Sequence, residues 1–347
     1  MRGTRQADRR AWLAVLVTVS VTTVAACSSA AAPGSPSQVA SLVAGSPSAT
    51  ASSSAGSQTT AASPAVAVVR ATTLATRLPT GLSREVAIVV GTRIFVVGGF
   101  AANGSTTAAI LGFDPATGRV ESVGALAVPV HDAGGVAVGS AMLIFGGGNA
   151  APVSVVQRID SSGVARVVGH LPSARADLAA VSLGSSAIVI GGGAFGVLDR
   201  PILLTEDGAH FRVLATLLVG VRYAAVAEAG GLIYVIGGVG AAGDRTEIQR
   251  IDPATGRVDL MGRMPEPISH ASAMVIGGRL LVVGGRSAGK AQDAIWQVDL
   301  GTGTSHLVAR LPQPVSDVAT AVIDGTGYVI GGETDTQVAS IVSIVVQ

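Results

Sequence analysis

A short apolar segment that ends in two glycines occurs six times along the chain, and this repetition limits the possible folds more than any other feature. The first glycines of the six pairs are Gly98, Gly146, Gly191, Gly237, Gly284 and Gly331. They are separated by 48, 45, 46, 47 and 47 residues. A regular period of this size is typical of proteins built from stacked structural repeats.

Each repeat has the pattern of four short strands joined by tight turns. An alternating segment leads to a turn, the apolar segment and its glycine pair follow, and a variable loop leads to a third strand. The turn after the third strand reads "DPATG" at 114–118 and again at 252–256, and a fourth strand then ends the unit. Such a unit is an antiparallel meander.

The apolar segment before each glycine pair has no polar face, so it must be covered on both sides. Neighbouring meanders cover it if they stack face to face around an axis. The sequence therefore predicts an all-β fold, a six-bladed β-propeller of four-stranded antiparallel meanders that spans residues 65–347.

The two ends of the repeat region indicate how the propeller closes. After Gly332 only one more strand remains, so the last blade lacks its outer strand. Before the first repeat, "TTLATRLP" (72–79) aligns with the fourth-strand segment "SHLVARLP" (305–312). We therefore predict that an N-terminal strand completes the last blade, which removes the exposed sheet edges of an open stack.

The first 26 residues have the pattern of an export signal. Four arginines within the first ten residues precede an apolar stretch and small residues, which is typical of a secretory signal and too short for a permanent membrane span. The segment "VAAC" (24–27) resembles the lipobox of bacterial lipoproteins, which implies lipid attachment at Cys27. An ordinary signal peptide with an incidental cysteine is the alternative, and "RRAWL" also resembles a twin-arginine signal.

These features predict residues 1–26 as a lipoprotein signal peptide and a mature protein on the extracytoplasmic face of a bacterial cell membrane. Residues 27–64 consist almost wholly of small and polar residues without charges. Such a composition cannot bury enough apolar surface to offset the entropy of ordering. We therefore expect a disordered spacer with a mean reach of about 35 Å.

Charge and cysteine content exclude several classes of function. The chain has 23 Lys+Arg against 22 Asp+Glu, which argues against a nucleic-acid surface, since such a surface needs many clustered basic groups. A single cysteine, Cys27, excludes an intramolecular disulfide and a cysteine-based metal cluster. We expect a monomer without a cofactor, and membrane contact through the N-terminal lipid alone.

Six polar or amphipathic residues open the first strands of the repeats and form the candidate site: Arg84, Asp132, Asp177, Tyr223, His270 and Asp317. In a propeller these positions surround one end of the central channel. Arg84 would then neighbour Asp132 and Asp317, and Asp132 would face His270 across the axis. The set would suit a polar ligand or, through its three carboxylates, a hard cation. Alternatively, these side chains serve only to satisfy backbone donors of neighbouring blades.

Charged loops after the glycine pairs are expected on the same face as these six residues. They are "DRP" (199–201), "GDRTE" (243–247), "RSAGKAQD" (286–293) and "ETDT" (333–336). Surface loops commonly carry function, but the same composition is ordinary for solvated loops.

The period, the glycine pairs and the recurrent Leu-Pro or Met-Pro steps at 171–172, 264–265 and 311–312 are similar to kelch repeats. That family includes six-bladed propellers and the central domain of galactose oxidase. Kelch units usually carry a tyrosine and then a tryptophan after the glycines, whereas the third strands here offer only Phe113 and Trp296. Copper-radical oxidases on this fold use a cysteine crosslinked to tyrosine together with histidine ligands. Here Cys27 is assigned to the anchor and the five histidines lack metal-ligand spacing, so no metal site is predicted.

Two functions fit the sequence. The first is a non-catalytic binding or scaffolding module that presents its channel-mouth loops to a protein or envelope polymer. The second, implied by resemblance to exported six-bladed kelch enzymes, is a sugar mutarotase or epimerase with Asp132, His270 and Arg84 as acid–base groups. A deep pocket that excludes water would favour the enzyme, and a broad shallow face would favour the scaffold.

Overall fold

The computed structural model describes residues 68–347, and all regular secondary structure in this range is β-strand. The predicted signal peptide, Cys27 and the spacer at 27–64 lie outside the described residues. Within residues 68–347 there is no helix of the length and apolar character that a membrane span requires.

The strands form six antiparallel blades, as predicted, and in blades 1 to 5 the strands follow the order of the chain from the central axis outwards. A first strand, β1 (Val69–Ser83), precedes them. Blade 1 contains β2 (Val86–Val90), β3 (Arg93–Val97), β5 (Ala109–Asp114) and β6 (Arg119–Ala125), whereas the short β4 (Phe100–Ala101), between β3 and β5 in the chain, belongs to the sheet of blade 6. Blade 2 contains β7 (Gly134–Val138), β8 (Ala141–Phe145), β9 (Val155–Ile159) and β10 (Ala165–His170). Blade 3 contains β11 (Ala176–Leu183), β12 (Ser186–Ala194), β13 (Val197–Leu198), β14 (Pro201–Thr205) and β15 (Arg212–Thr216).

Blades 4 and 5 each add a small hairpin after the glycine pair. Blade 4 contains β16 (Ala225–Ala229), β17 (Leu232–Ile236), the hairpin β18 (Val239–Gly240) and β19 (Gly243–Asp244), β20 (Glu247–Asp252) and β21 (Arg257–Arg263). Blade 5 contains β22 (Ser272–Ile276), β23 (Arg279–Val283), the hairpin β24 (Arg286–Ser287) and β25 (Lys290–Ala291), β26 (Ala294–Val298) and β27 (Ser305–Arg310). Blade 6 contains β28 (Ala319–Ile323), β29 (Thr326–Ile330) and β30 (Val338–Val346), and β1 is its fourth strand.

The second strand of each blade is buried on both faces, which confirms the reason for predicting a propeller. In β3, Ile94 and Val96 belong to a core cluster shared with blade 6. The alternate residues Phe95 and Val97 belong to a cluster shared with blade 2. Because successive side chains of a strand point to opposite faces, one strand fills two cores. The blades therefore stabilise one another around the ring.

The N-terminal strand closes the ring as predicted. β1 pairs antiparallel with β30, and Val69 lies opposite Val346. Val68 and Gln347 exchange two backbone hydrogen bonds of 2.8 and 2.9 Å. At its other end β1 pairs with β4, which links blade 6 to blade 1. β1 runs from one face of the propeller at Val69 to the face of the candidate site at Ser83. Both ends of the described chain therefore lie at the face opposite the candidate site.

The glycine pairs allow consecutive blades to approach closely. Gly98 and Gly99 have φ angles of 64° and 108°, in the region that favours glycine. Gly99 donates a hydrogen bond of 2.9 Å to the carbonyl of Val130, which leads into blade 2. A Cβ atom on Gly98 would collide with the same carbonyl oxygen. The repeated pair is therefore required for the contact between blades.

Two buried glutamines join neighbouring blades. The side-chain amide of Gln157 in blade 2 accepts from the Val128 N–H and donates to the Val128 carbonyl, both at 2.9 Å. Gln249 in blade 4 makes the same pair of 2.9 Å bonds with Val219. Each amide thus satisfies both backbone groups of a connecting segment, as a buried polar side chain must.

Candidate functional site

The six predicted site residues share one backbone conformation and surround one end of the channel. We call them the mouth ring, and all six have positive φ angles between 53° and 61°: Arg84, Asp132, Asp177, Tyr223, His270 and Asp317. This left-handed conformation is uncommon for residues other than glycine. Its occurrence at the same position of all six blades shows that the fold imposes it.

The backbones of the mouth ring form a closed circle of hydrogen bonds. Each residue's N–H donates to the carbonyl of the preceding ring residue, at 2.9–3.0 Å, and the Arg84 N–H donates to Asp317. Backbone groups therefore satisfy these donors, and the alternative in which the side chains do so is not what the structure shows. The circle also places Asp132 and His270 three steps apart, on opposite sides of the axis as predicted.

The mouth ring opens into a cavity of ≈ 470 Å³ on the axis. All six ring residues line it, together with the first strands of the six blades. Small residues such as Ala87, Ala137 and Ala180 dominate those strands. The site is therefore a polar opening above a narrow channel with small side chains.

The guanidinium group of Arg84 lies among three carboxylates. Its Nη1 is 3.4 Å from Asp132, its Nη2 is 3.4 Å from Glu333 and its Nε is 3.9 Å from Asp317. The predicted neighbours of Arg84 are thus confirmed, and Glu333 from the "ETDT" loop joins them. Arg286 also binds Glu333, with 2.5 Å between Nη2 and Oε1.

His270 is held by a hydrogen bond and by stacking. Its Nδ1 lies 2.7 Å from Oδ1 of Asp317, and Ser316 donates to the other oxygen of that carboxylate at 2.7 Å. Burial alone would raise the pKa of Asp317, but the hydrogen bond and charge of His270 lower it. The Tyr223 ring stacks on the imidazole at a centroid distance of 3.8 Å. When Nδ1 donates to Asp317, Nε2 of the neutral ring is left as an acceptor.

The two remaining ring carboxylates are poorly solvated. Burial raises the pKa of Asp132 well above its ordinary value, although Arg84 opposes the shift. Burial also raises the pKa of Asp177. Burial and the neighbouring negative charges of Asp132 and Asp177 raise the pKa of the Tyr223 hydroxyl as well. Arg222 lies 3.3 Å from Asp177.

Glu85, which the sequence analysis did not single out, is the most unusual group of the site. It is 7% exposed, and neither carboxyl oxygen has a hydrogen-bond partner among the described residues. Burial raises its pKa to about 8. Corresponding positions in the other blades hold apolar residues: Ala133, Leu178, Ala224, Ala271 and Val318. A single acidic residue in an apolar column of the aligned repeats was the signal that could have identified it.

The ring carboxylates do not form a metal cage. Residues 68–347 contain no group of three or more His, Cys, Asp or Glu side chains placed to hold a metal ion. Asp132, Asp177 and Asp317 come from three different blades around the opening, so the predicted option of a hard cation held by these three has no geometric support.

The charged loops divide into structural and mouth-facing groups. Asp199 of "DRP" lies 3.1 Å from the buried guanidinium of Arg175, and Arg245 of "GDRTE" lies 2.7 Å from Glu247. These pairs belong to blades 3 and 4. By contrast, Arg286 and Glu333 join the mouth. The loop sequences alone did not distinguish the two groups.

Two phenylalanines in the loops after the glycine pairs lie in different environments. Phe100 packs edge-on against His131 at a centroid distance of 5.4 Å, and the Arg84 guanidinium lies 6.0 Å from the Phe100 ring. Phe195 is 83% exposed at the tip of a hairpin in blade 3. His170 and His306 lie on outer strands, and His210 lies in the turn before β15.

Comparison with known proteins supports the fold and the repeat. Residues 267–312 match the Kelch motif. The solved structure of YjhT superposes with a TM-score of 0.69 at 14% sequence identity, covering 78% of this chain and 98% of that chain. At this identity the similarity shows the fold alone. No curated protein matches the sequence.

Proposed function

We propose that this protein is a binding or scaffolding propeller, held by lipid on Cys27 at the extracytoplasmic face of a bacterial membrane. It presents its mouth ring and the loops around it to a protein or envelope polymer. The observation that carries the proposal is the convergence of six polar residues from six blades on one cavity. The kelch motif and the propeller fold point to the same general role in interactions.

Preorganisation supports a binding role. The ring backbones are fixed by a closed circle of hydrogen bonds, and Arg84, His270 and Asp317 are fixed by ion pairs and hydrogen bonds. A partner that meets side chains already in place loses less conformational entropy on binding. Mobile loops would not provide this advantage.

Affinity capture tests the binding role. The full chain, solubilised in detergent, is used to capture partners from native envelope extracts. The triple variant Arg84→Ala, Asp132→Ala and His270→Ala should lose the partner. A matched triple variant on exposed outer strands, Arg166→Ala, Arg212→Ala and Arg257→Ala, should keep it. Equal capture by both variants would reject the mouth as the binding site.

The anchor is tested separately. Replacing Cys27 with Ala should move the protein out of the detergent-extracted membrane fraction. A Cys27→Ala protein that stays in that fraction would reject the lipid anchor without affecting the proposal for the mouth.

The Asp317–His270 pair favours a second candidate, the sugar mutarotase or epimerase activity. A carboxylate that holds Nδ1 leaves Nε2 of His270 available to accept a proton, while Asp132 and Arg84 lie on the other side of the opening. The test is the rate of anomer interconversion of reducing sugars, followed by NMR. His270→Gln should abolish any acceleration, and His306→Gln on the outer strand β27 should not.

A further inference from the structure

The contact between blade 6 and blade 1 joins segments from opposite ends of the described chain. Two backbone hydrogen bonds cross it: the Gly332 N–H donates to the Leu82 carbonyl at 2.8 Å, and the Arg84 N–H donates to the Asp317 carbonyl at 2.9 Å. We call this contact, between 82–85 and 317–333, the closing seam. In blades 1 to 5 a turn connects the third and fourth strands, whereas no turn connects β30 to β1. The closing seam therefore depends on non-covalent contacts more than the other five contacts do.

The carboxyl group of Glu85 lies inside the closing seam. A Cβ atom on Gly331 would collide with its Oε1, so the glycine leaves the space that this carboxyl group fills. Both oxygens are buried, and neither has a hydrogen-bond partner among the described residues. At the first glycine of the other five pairs, the nearest atom is a backbone carbonyl oxygen of the next connecting segment. Of the six contacts between blades, the closing seam is thus the one that places a carboxyl group against this glycine.

The charged groups around Glu85 do not compensate an ionised carboxylate. Burial raises the pKa of Glu85 to about 8, and the negative charges of Asp317 and Asp132 act in the same direction. The imidazole of His270 is already bonded to Asp317. The guanidinium of Arg84 is shared by three other carboxylates, those of Asp132, Asp317 and Glu333. A buried charge without a partner is costly, so Glu85 is neutral in the closed seam below about pH 8.

The mouth ring is assembled across the closing seam. Arg84, next to Glu85 in the chain, lies 3.4 Å from Glu333 and 3.9 Å from Asp317, and both acidic residues belong to blade 6. The Ser83 hydroxyl also donates to Glu333, at 3.0 Å. Separation of the seam would therefore remove Arg84 from two of its three carboxylates.

We propose that Glu85 is a pH-sensitive switch in the closing seam: its neutral carboxyl group keeps blades 6 and 1 in contact, and loss of its proton to the solvent opens the seam. Opening exposes the carboxyl group to water, where it ionises as an ordinary glutamate does, near pH 4.5. Between about pH 4.5 and about pH 8 the closed seam binds more protons than the open seam, so a rise in pH favours opening. The proposal concerns the regulation of the mouth and does not depend on what the mouth binds.

Hydrogen exchange of the full chain, followed by mass spectrometry, tests the switch. Wild type and Glu85→Gln are compared at pH 5 and at pH 8, in peptides that contain Arg84 or Gly332. Comparison at one pH removes the effect of pH on the chemical exchange rate itself. At pH 8 these peptides should exchange about a hundredfold faster in wild type than in Glu85→Gln, whereas at pH 5 the two proteins should differ only a few-fold.

The seam between blades 3 and 4 is the matched control within the same molecule. There the Gly192 N–H donates to the Val221 carbonyl and the Tyr223 N–H donates to the Asp177 carbonyl, both at 3.0 Å. Peptides that contain Gly192 or Tyr223 should exchange at the same rate in wild type and in Glu85→Gln.

Two further variants complete the test. Glu85→Ala introduces the residue that blades 2, 4 and 5 carry at this position, so it serves if the glutamine variant does not fold, and it should give the same result. Glu206→Gln, at an exposed acidic residue in the turn between β14 and β15, should exchange like wild type at both pH values.

Equal exchange of the closing seam at pH 8 in wild type, Glu85→Gln and Glu85→Ala would overturn the proposal. Faster exchange of both seams to the same degree in wild type at pH 8 would also overturn it, because the whole ring would then unfold and the closing seam would not open by itself. Neither result bears on affinity capture through the mouth, so the binding function is tested separately.

Discussion

The backbone N–H of Arg84 donates a hydrogen bond of 2.9 Å to the carbonyl of Asp317, although Arg84 precedes blade 1 and Asp317 opens blade 6. This bond closes the circle of the mouth ring. β1 closes the same junction at the outside of the ring by pairing with β30. The first and last repeats are thus joined both at the axis and at the rim, so the site and the global fold depend on one junction.

Deleting the part of β1 that pairs with β30 should destabilise the whole propeller. Deletion of 68–77 takes away the pairing of β1 with β30 from Val69 to Arg77 and exposes the edge of β30. We expect a lower melting temperature with a single transition, because every blade depends on two neighbours. Circular dichroism during heating measures this. An unchanged melting temperature would show that β1 is dispensable for closure.

Glu85 should make the stability of the ring depend on pH. Its pKa is raised from 4.5 to about 8 in the folded protein. Between these values the unfolded chain binds fewer protons than the folded chain at this residue, so stability falls as pH rises from about 4.5 to about 8. Glu85→Gln keeps the neutral form at all pH values. It should therefore remove this decline, and the gain over wild type should be greatest at pH 8.

Chemical denaturation at pH 5 and at pH 8 measures this difference. Glu206→Gln, in the turn between β14 and β15, is the control, because Glu206 is exposed and makes no ion pair with a described residue, and its stability should follow that of the wild-type protein at both values. A Glu85→Gln protein with the same decline from pH 5 to pH 8 as wild type would contradict the assignment of a neutral buried carboxyl group.

The ion pair in blade 3 predicts a coupled effect on stability. Arg175 is almost completely buried and lies 3.1 Å from Asp199. Asp199→Asn leaves the guanidinium without its counter-charge and should cost about 3 kcal/mol of unfolding free energy. Adding Arg175→Met should recover part of this loss, because the uncompensated charge is then gone.

Urea denaturation of the two single variants and the double variant measures the coupling. Asp244→Asn on β19 is a matched control, because it removes an acidic group from the adjacent blade without breaking an ion pair to a described residue. Additive losses in the double variant would show that the pair contributes no coupling energy.

The glutamine bridge between blades 1 and 2 should contribute through its hydrogen bonds. Gln157→Leu leaves the N–H and carbonyl of Val128 without partners and should cost roughly 1–3 kcal/mol. Leu111 and Leu203 occupy the corresponding positions in blades 1 and 3, so a leucine side chain suits this position of the strand. Arg158→Ala, on the exposed face of β9, should cost little. Equal stability of Gln157→Leu and wild type would contradict this role.

Much of the fold was predictable from the sequence, because one physical requirement repeats six times. The segments that are apolar on both faces, with their glycine pairs, predicted the number of blades. The match between 72–79 and 305–312 predicted that an N-terminal strand closes the ring. The alignment of the repeats also placed all six mouth-ring residues together. These predictions depended on periodicity, which a single sequence displays directly.

The parts that escaped prediction depend on individual side chains. The side chains of Gln157 and Gln249 bond to backbone groups of the segments that connect two blades, and no local sequence pattern indicates such a bond. Asp199 turns inward to Arg175, whereas Glu333, in a loop of similar composition, joins the mouth. Glu85 could have been found only by aligning the six repeats, because it is the one acidic residue at a position that is apolar in the other five.

The strand order of blade 6 has a practical consequence for orientation. The start of β1 lies beside the end of β30, so Val68 and Gln347 are both at the face of the propeller that is opposite the cavity. A tag, a support or another domain that is attached at either end of the propeller is therefore joined to the face opposite the cavity. A particle or sensor surface coated through either end would carry the propellers with their openings towards the solution.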